Sequence, residues 1–148
     1  MNGRILIVDD ESRFRKSLMQ LLRRFEYDVR DAADGMAAVQ ILEQGKTDVV
    51  LLDVDMPGLS GKEIFSIIRE QGLSVETICL TGAPVIEDAL YMMRKGVFDY
   101  LAKPVSIEDL LRVLGRAVKN RRIRNWDTDD AGMLSRYVRG PGNRILNC

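Results

Sequence analysis

Ile5-Leu6-Ile7-Val8-Asp9-Asp10-Glu11 is a short apolar run, rich in β-branched residues, that stops at three acids. Val49-Val50-Leu51-Leu52-Asp53-Val54-Asp55 has the same form. A strand with one wet face alternates apolar and polar residues. An unbroken apolar run of this length fits a strand covered on both faces. Both faces are covered when helices connect parallel strands, so these two stretches point to an α/β layer structure.

The segments around them fit that reading. After the first run, Phe14, Leu18, Leu21, Leu22 and Phe25 recur at helical spacing, with Ser12 placed to cap the helix. Phe14 and Phe25 read as core side chains before anything else. Asp28 to Ala32 alternates weakly as a strand, and Met36, Val39 and Leu42 mark a helix stopped by Gly45. Beyond the second run, Ile64, Phe65, Ile67 and Ile68 mark a helix ending at Gly72, and Val75 to Leu80 a strand. Residues 86–95 make a helix ending at Gly96, Phe98 to Ala102 a short strand, and Ile107 to Val118 a helix with one apolar stripe. In sum, five strands alternate with five helices in a doubly wound α/β domain.

Composition narrows the function. Hydrophobic residues are 46% and charged residues 30% of the 148, a globular balance. Lys plus Arg equals Asp plus Glu at 22 each, so no whole-chain charge favours nucleic acid or an anionic membrane. The chain has no histidine, which removes His-dependent triads, His metal ligands and any phosphohistidine of its own. Cys79 lies in an apolar run and Cys148 is the last residue, a pattern that fits a reduced, cytoplasmic setting better than a disulfide. No apolar stretch approaches the roughly 20 residues that span a bilayer. Charge is nevertheless uneven. Residues 112–148 carry nine basic and three acidic side chains, net +6, against 13 and 19, net −6, for residues 1–111.

In an open α/β sheet, ligands sit beyond the carboxyl ends of the strands. At those ends the sequence puts Asp9-Asp10-Glu11, Asp53-Val54-Asp55, Thr81-Gly82 and Lys103-Pro104. Asp9, Asp10 and Asp53 are expected to converge there. Two carboxylates 4 Å apart repel by roughly 4 kcal/mol at an effective dielectric of 20, so a proton or a cation must fill the gap. Hard oxygen ligands suit Mg²⁺, Lys103 offers a point charge for a phosphoryl oxygen, and the Thr81 hydroxyl offers a donor. Taken singly, Asp-Asp reads as a helix cap, Lys-Pro as a turn, and Thr-Gly as nothing. Their shared place at successive strand ends carries the chemistry.

Val8-Asp9-Asp10-Glu11, Leu52-Asp53-Val54-Asp55-Met56-Pro57-Gly58-Leu59-Ser60-Gly61, Leu80-Thr81-Gly82-Ala83 and Tyr100-Leu101-Ala102-Lys103-Pro104 together resemble the receiver domain of bacterial two-component response regulators, in order and spacing. The resemblance covers about residues 4–120. It implies a five-stranded parallel sheet of order 2-1-3-4-5, flavodoxin-like, flanked by five helices. It implies Asp53 as phosphoacceptor, Asp10 and Asp9 as Mg²⁺ ligands with the Asp55 carbonyl completing the protein's share, and Lys103 on the phosphoryl group. It further implies that Thr81 and Tyr100 form the switch, that the Lys103–Pro104 bond is often cis, and that a phosphohistidine on a partner kinase or phosphotransfer protein is the donor. The first helix, Arg13 to Phe25, would be the docking face for that partner.

The same resemblance places output on the fourth helix, fifth strand and fifth helix, where a homodimer can form and where Tyr91, Met92 and Met93 lie. The periodicity offers a plainer expectation for the methionines, one core and the other exposed. Thr81-Gly82-Ala83-Pro84 also resembles receivers that precede ATPase-type activators. Residues 1–120 are expected to be the receiver and 121–148 a basic extension, linker or tail. Trp126 is expected to pack back, and Asp127 to Asp130 and Gly140-Pro141-Gly142 to be loop. No Gly-rich phosphate loop or helix-turn-helix stands out, so the chain reads as a single-domain receiver or the front of a longer regulator, without direct nucleic-acid binding by the receiver. Two competing functions remain: a receiver-fold scaffold that is never phosphorylated, and an enzyme, either a flavin carrier or a Mg²⁺-dependent phosphatase.

Overall fold

The apolar runs alternate their side chains between two faces of one sheet, and each face needs its own cover. The computed structural model shows how this is met; it describes residues 2–138, with side chains for residues 2–124. The elements run β1 (Gly3–Val8), α1 (Ser12–Arg24), β2 (Tyr27–Ala32), α2 (Gly35–Glu43), β3 (Val49–Asp53), α3 (Gly61–Glu70), β4 (Glu76–Thr81), α4 (Ile86–Arg94), β5 (Asp99–Ala102) and α5 (Ile107–Val138). The strands pair in parallel in the order β2-β1-β3-β4-β5, the doubly wound arrangement expected from sequence.

Ile5, Ile7, Val49, Leu51, Ile78 and Leu80 point to one side and meet Leu18 and Leu22 of α1 and Leu110, Val113, Leu114 and Val118 of α5. Leu6, Val8, Val50, Leu52 and Cys79 point to the other and meet Ala38 and Leu42 of α2, Ile64, Phe65 and Ile68 of α3, and Met92 of α4. Strand order reverses between β1 and β3, where their carboxyl ends leave a crevice. Asp9 and Asp53 lie on either side of it.

Several local expectations are corrected. Ser12 is not the cap of α1 but its first residue; Glu11 occupies the cap position and makes no side-chain cap bond. The turn is instead organised by Asp9, whose Oδ1 accepts the Glu11 N–H at 2.9 Å. Phe25 is 42% exposed and lies outside the core, because α1 has ended and the chain is turning into β2. Of the paired methionines, Met92 is buried and Met93 is exposed, so Met92 is not part of any docking face.

The largest correction concerns the basic extension. Asp127 to Asp130 is helical, because α5 continues without interruption from Ile107 to Val138. The first three turns are nucleated by packing on the sheet, after which each added residue costs little. Residues 119–131 contain neither proline nor glycine to stop it. The side chain of Trp126 and the Gly140-Pro141-Gly142 segment lie outside what is described. Beyond the apolar stripe, α5 is held by polar contacts at the amino end of β4. Arg121 Nε donates to the Ser74 carbonyl at 2.6 Å, Asn120 Nδ2 donates to Glu76 Oε1 at 3.1 Å, and Arg124 pairs with Glu76. Among the described residues, no helix is long and apolar enough to cross a membrane.

Candidate functional site

Each strand delivers its last residue to the same rim because parallel strands all run one way. β1 leads into Asp9 and Asp10, β3 ends at Asp53, β4 ends at Thr81, and the turn after β5 carries Lys103. Asp9, Asp10 and Asp53 each present a carboxylate oxygen, and these oxygens lie within 4.8 Å of one another. Asp9 and Asp53 are buried, whereas Asp10 is exposed.

Lys103 reaches this group from the far side of the sheet. Its Nζ is 2.7 Å from Asp9 Oδ2 and 3.8 Å from Asp53 Oδ2. The Lys103–Pro104 peptide is cis, and the Lys103 N–H donates to the Thr81 carbonyl at 2.7 Å. Asp53 Oδ1 accepts the Asp55 N–H at 3.0 Å. Burial holds the Asp53 carboxyl above its ordinary value; the Asp55 N–H and the Lys103 charge oppose the rise, while Asp9 and Asp10 add to it. The Asp53 charge is thus penalised beside negative neighbours, and a bound cation would relieve the same strain.

Gly61 sets the floor of this turn. A Cβ there would sit 2.7 Å from the Val54 Cα and 2.9 Å from the Asp53 carbonyl oxygen, so a side chain would push the strand end out of place. The Gly61 N–H donates to the Val54 carbonyl at 3.3 Å, and Ser60 caps α3 by accepting the Glu63 N–H.

Thr81 is fully buried. Its hydroxyl donates to Asp55 Oδ2 at 2.7 Å and accepts the Ala83 N–H at 3.1 Å. Tyr100, paired in register with Cys79, is half-buried and packs on the α2/α3/α4 side. Burial first, then the charges of Asp88 and Asp55, raise its phenol pKa, against hydrogen bonding with Thr81 and the Val85 backbone. Its hydroxyl is therefore close to Thr81, at the α4 end of the rim.

All seven residues singled out from sequence (Asp9, Asp10, Asp53, Asp55, Thr81, Tyr100 and Lys103) share this rim. Three contributors were missed. The Phe14 ring lies under Lys103, with Nζ 4.2 Å from the ring centroid, so it is a wall of the site as well as a core side chain. Arg15 spans the Asp9 carbonyl at 2.8 Å and Asp31 at 2.7 Å, bracing the turn after β1. Lys62 of α3 pairs with Asp88 of α4 at 2.6 Å, beside Tyr100. Helical periodicity marks Phe14 as apolar but carries no sign of the ammonium above it. Nothing in the spacing of Lys62 and Asp88 announces their meeting.

The acidic rim can hold a divalent cation, since all its ligand atoms are hard carboxylate oxygens. It also supplies one ammonium and one hydroxyl. This is the equipment for fixing a phosphoryl group by position and charge.

Comparison with known proteins agrees. The family model for the response regulator receiver domain matches residues 5–115. Response regulator MprA of Mycobacterium bovis (strain BCG / Pasteur 1173P2) is 35% identical over 147 residues, 99% of this chain and 64% of that protein. The chain spans about half the length of the MprA relatives from other mycobacteria, 48% in strain KMS. A response regulator receiver domain protein of Clostridium thermocellum superposes with a TM-score of 0.77 at 31% identity, covering 82% of this chain and 98% of that one. NtrX of Brucella abortus superposes at 0.79 with 27% identity, covering 87% and 30%.

Proposed function

The chain belongs to the response regulator receiver domain family, and on that premise we propose that it is a phosphorylation-dependent signalling switch with Asp53 as its phosphoacceptor. The observation that carries the reading is the convergence of Lys103 Nζ on Asp9 and Asp53, where three carboxylates crowd together. A scaffold that is never phosphorylated has no use for such a cluster, because mutual repulsion only weakens it.

In this reading the donor is a phosphohistidine on a histidine kinase or phosphotransfer protein; the 148 residues hold no histidine of their own. An Asp53 carboxylate oxygen attacks the phosphorus. The P–N bond breaks, its electron pair leaves on the imidazole nitrogen, and that nitrogen takes up a proton. The product is an acyl phosphate on Asp53. Lys103 shifts from the carboxylates toward a phosphoryl oxygen, and the buried Thr81 hydroxyl donates to another. Mg²⁺, bound by Asp9, Asp10 and Asp53 with the Asp55 carbonyl, would neutralise the transferring oxygens. These residues fit it, since each side chain offers a hard oxygen on one rim. Hydrolysis reverses the state when water attacks the same phosphorus and Asp53 leaves as a carboxylate. The domain thus catalyses its own modification without being a turnover enzyme.

Output passes from Thr81 through Tyr100 to α4, β5 and α5. The α4 surface exposes Ile86, Leu90, Tyr91 and Met93, an apolar face for a second copy or a downstream partner. The continuous helix α5 carries that signal into the basic extension, since it runs on to Val138; the extension, residues 121–148, serves as a linker or tail.

The decisive experiment exposes the chain to acetyl phosphate with Mg²⁺ and weighs it by mass spectrometry. The wild type is expected to gain one phosphoryl group, labile to base, and Asp53→Asn none. Equal incorporation by the variant refutes the assignment. Sizing before and after modification reports whether the α4 face pairs two copies.

A further inference from the structure

We propose that the Asp55 carboxylate is a resting-state latch, holding the Thr81 hydroxyl until a phosphoryl group on Asp53 takes it away. The proposal rests on the reading of Asp53 as phosphoacceptor. It gives Asp55 a side-chain role separate from its backbone, and makes it a positioning residue that acts through Thr81.

The geometry is specific. A threonine hydroxyl has one hydrogen to donate. Here that hydrogen goes to Asp55 Oδ2 at 2.7 Å, while the oxygen accepts the Ala83 N–H. Thr81 is fully buried, with the Tyr100 hydroxyl close beside it. It cannot serve Asp55 and a phosphoryl oxygen together. Asp55 is also tied to the phosphoacceptor itself, because its N–H donates to Asp53 Oδ1 at 3.0 Å. One residue therefore grips Asp53 with its backbone and Thr81 with its side chain.

Phosphorylation loads the pair in one direction. The phosphoryl group adds negative charge next to the Asp55 carboxylate, and like charges at this range repel. It also presents acceptor oxygens stronger than those of a carboxylate. Thr81 gains a better acceptor while Asp55 is pushed away. A hydroxyl paired to a charged acceptor is held more firmly than one paired to a neutral group. Asp55 thereby sets how much phosphoryl binding is needed to move Thr81, and a neutral residue at this position would leave the switch easier to throw.

The test titrates the full chain with beryllofluoride at saturating Mg²⁺ and follows the Thr81 and Tyr100 amide resonances by NMR. Asp55→Ala is expected to bind beryllofluoride roughly tenfold more tightly than wild type, the scale of one charge-assisted hydrogen bond partly replaced. Asp55→Asn keeps an acceptor but not the charge, and is expected to fall between. The amide spectra show that each variant is folded. The control is Thr81→Ala. If Asp55 acts through the hydroxyl, adding Asp55→Ala to Thr81→Ala gains only the part due to charge repulsion, at least threefold less than the gain in wild type. An equal gain in both backgrounds means simple charge repulsion and overturns the latch. So does an Asp55→Ala affinity equal to or weaker than wild type. A wild type that binds no beryllofluoride overturns the phosphoacceptor reading, and the latch with it.

Discussion

Lys103 and Asp9, 94 residues apart in sequence, meet at 2.7 Å in the crevice between β1 and β3. Asp9 is 2% exposed and is paired with that ammonium inside the fold. Asp53, 3.8 Å from the same nitrogen, shares it. Lys103 thus places one positive charge between two of the three carboxylates.

Replacing Lys103 by Met should therefore weaken the fold as well as the chemistry. Breaking a buried ion pair by removing one partner costs about 3–5 kcal/mol, and the partial exposure of Lys103 brings the expected loss to about 2 kcal/mol. Millimolar Mg²⁺ should restore most of it, because an ion that binds only the folded chain stabilises it. Denaturant melts of both proteins with and without Mg²⁺ check this. A loss that Mg²⁺ leaves untouched would place the cost in packing on Phe14.

Asp53 is expected to be a site where function is held against stability. Its carboxyl titrates above the ordinary value because burial and the neighbouring acids penalise the charge. A group raised in the folded state favours folding fully below its unfolded pKa and loses that contribution as pH rises through the folded value. At pH 7, ionised Asp53 is thus a burden, and Asp53→Asn should stabilise the chain by on the order of 1 kcal/mol, seen as a rise of about 3–6 °C in Tm. The gain should fade as pH falls through the folded-state pKa. A variant less stable than wild type at pH 7 would contradict this reading.

Asp48, at the other end of the same sheet, should behave with the opposite sign. Burial pushes its carboxyl up, but the Arg4 guanidinium, the Arg4 N–H and the charge of Arg121 pull harder, and it titrates below the ordinary value. Arg4 donates to it from the backbone at 2.9 Å and from Nη2 at 3.1 Å. A lowered group contributes stability above its unfolded pKa and loses it as pH falls through the folded value. Asp48→Asn is expected to cost about 2 kcal/mol near neutrality and nothing in strong acid. Melts across pH 2–8 read the convergence directly; parallel curves would show that Asp48 is not carrying charge.

The contrast between these two aspartates shows what was legible beforehand. The runs ending at Val8 and Leu52 announce strands because every residue is apolar, and the acids that follow announce the rim because parallel strands share a direction. Asp48 carries no such signal: its partner Arg4 is 44 residues away, and only the pairing of β1 with β3 brings them together. The helix through Asp127 to Asp130 escapes notice for a different reason. Its polar residues resemble a loop, and only continuity with the packed turns of α5 makes them helical. The Asp55–Thr81 bond joins two positions that sequence places on one rim without indicating that they touch.

Glu26 is the least legible position and gives the cleanest test of the backbone. Glycine with positive φ follows α2, α3 and α4, at Gly45, Gly72 and Gly96. After α1 the same left-handed turn falls on Glu26, at φ 63°, and no glycine in the sequence marks it. The turn is fixed from outside: the Glu26 N–H donates to the Arg23 carbonyl at 3.1 Å, and its carbonyl accepts the Asn2 N–H at 2.8 Å, aligning the start of β2 with β1. An L side chain in this conformation costs about 1 kcal/mol, which glycine avoids. Glycine's greater freedom in the unfolded chain takes back part of the gain. Glu26→Gly is expected to stabilise the domain by about 0.5 kcal/mol, and Glu26→Val, branched at Cβ, to destabilise it by about 1 kcal/mol or more. Denaturant midpoints at unchanged slope would report both effects. Because Glu26 is exposed and far from Asp53, phosphorylation by acetyl phosphate should proceed equally in all three proteins. A Glu26→Gly chain less stable than wild type would mean that the glutamate side chain supports the turn.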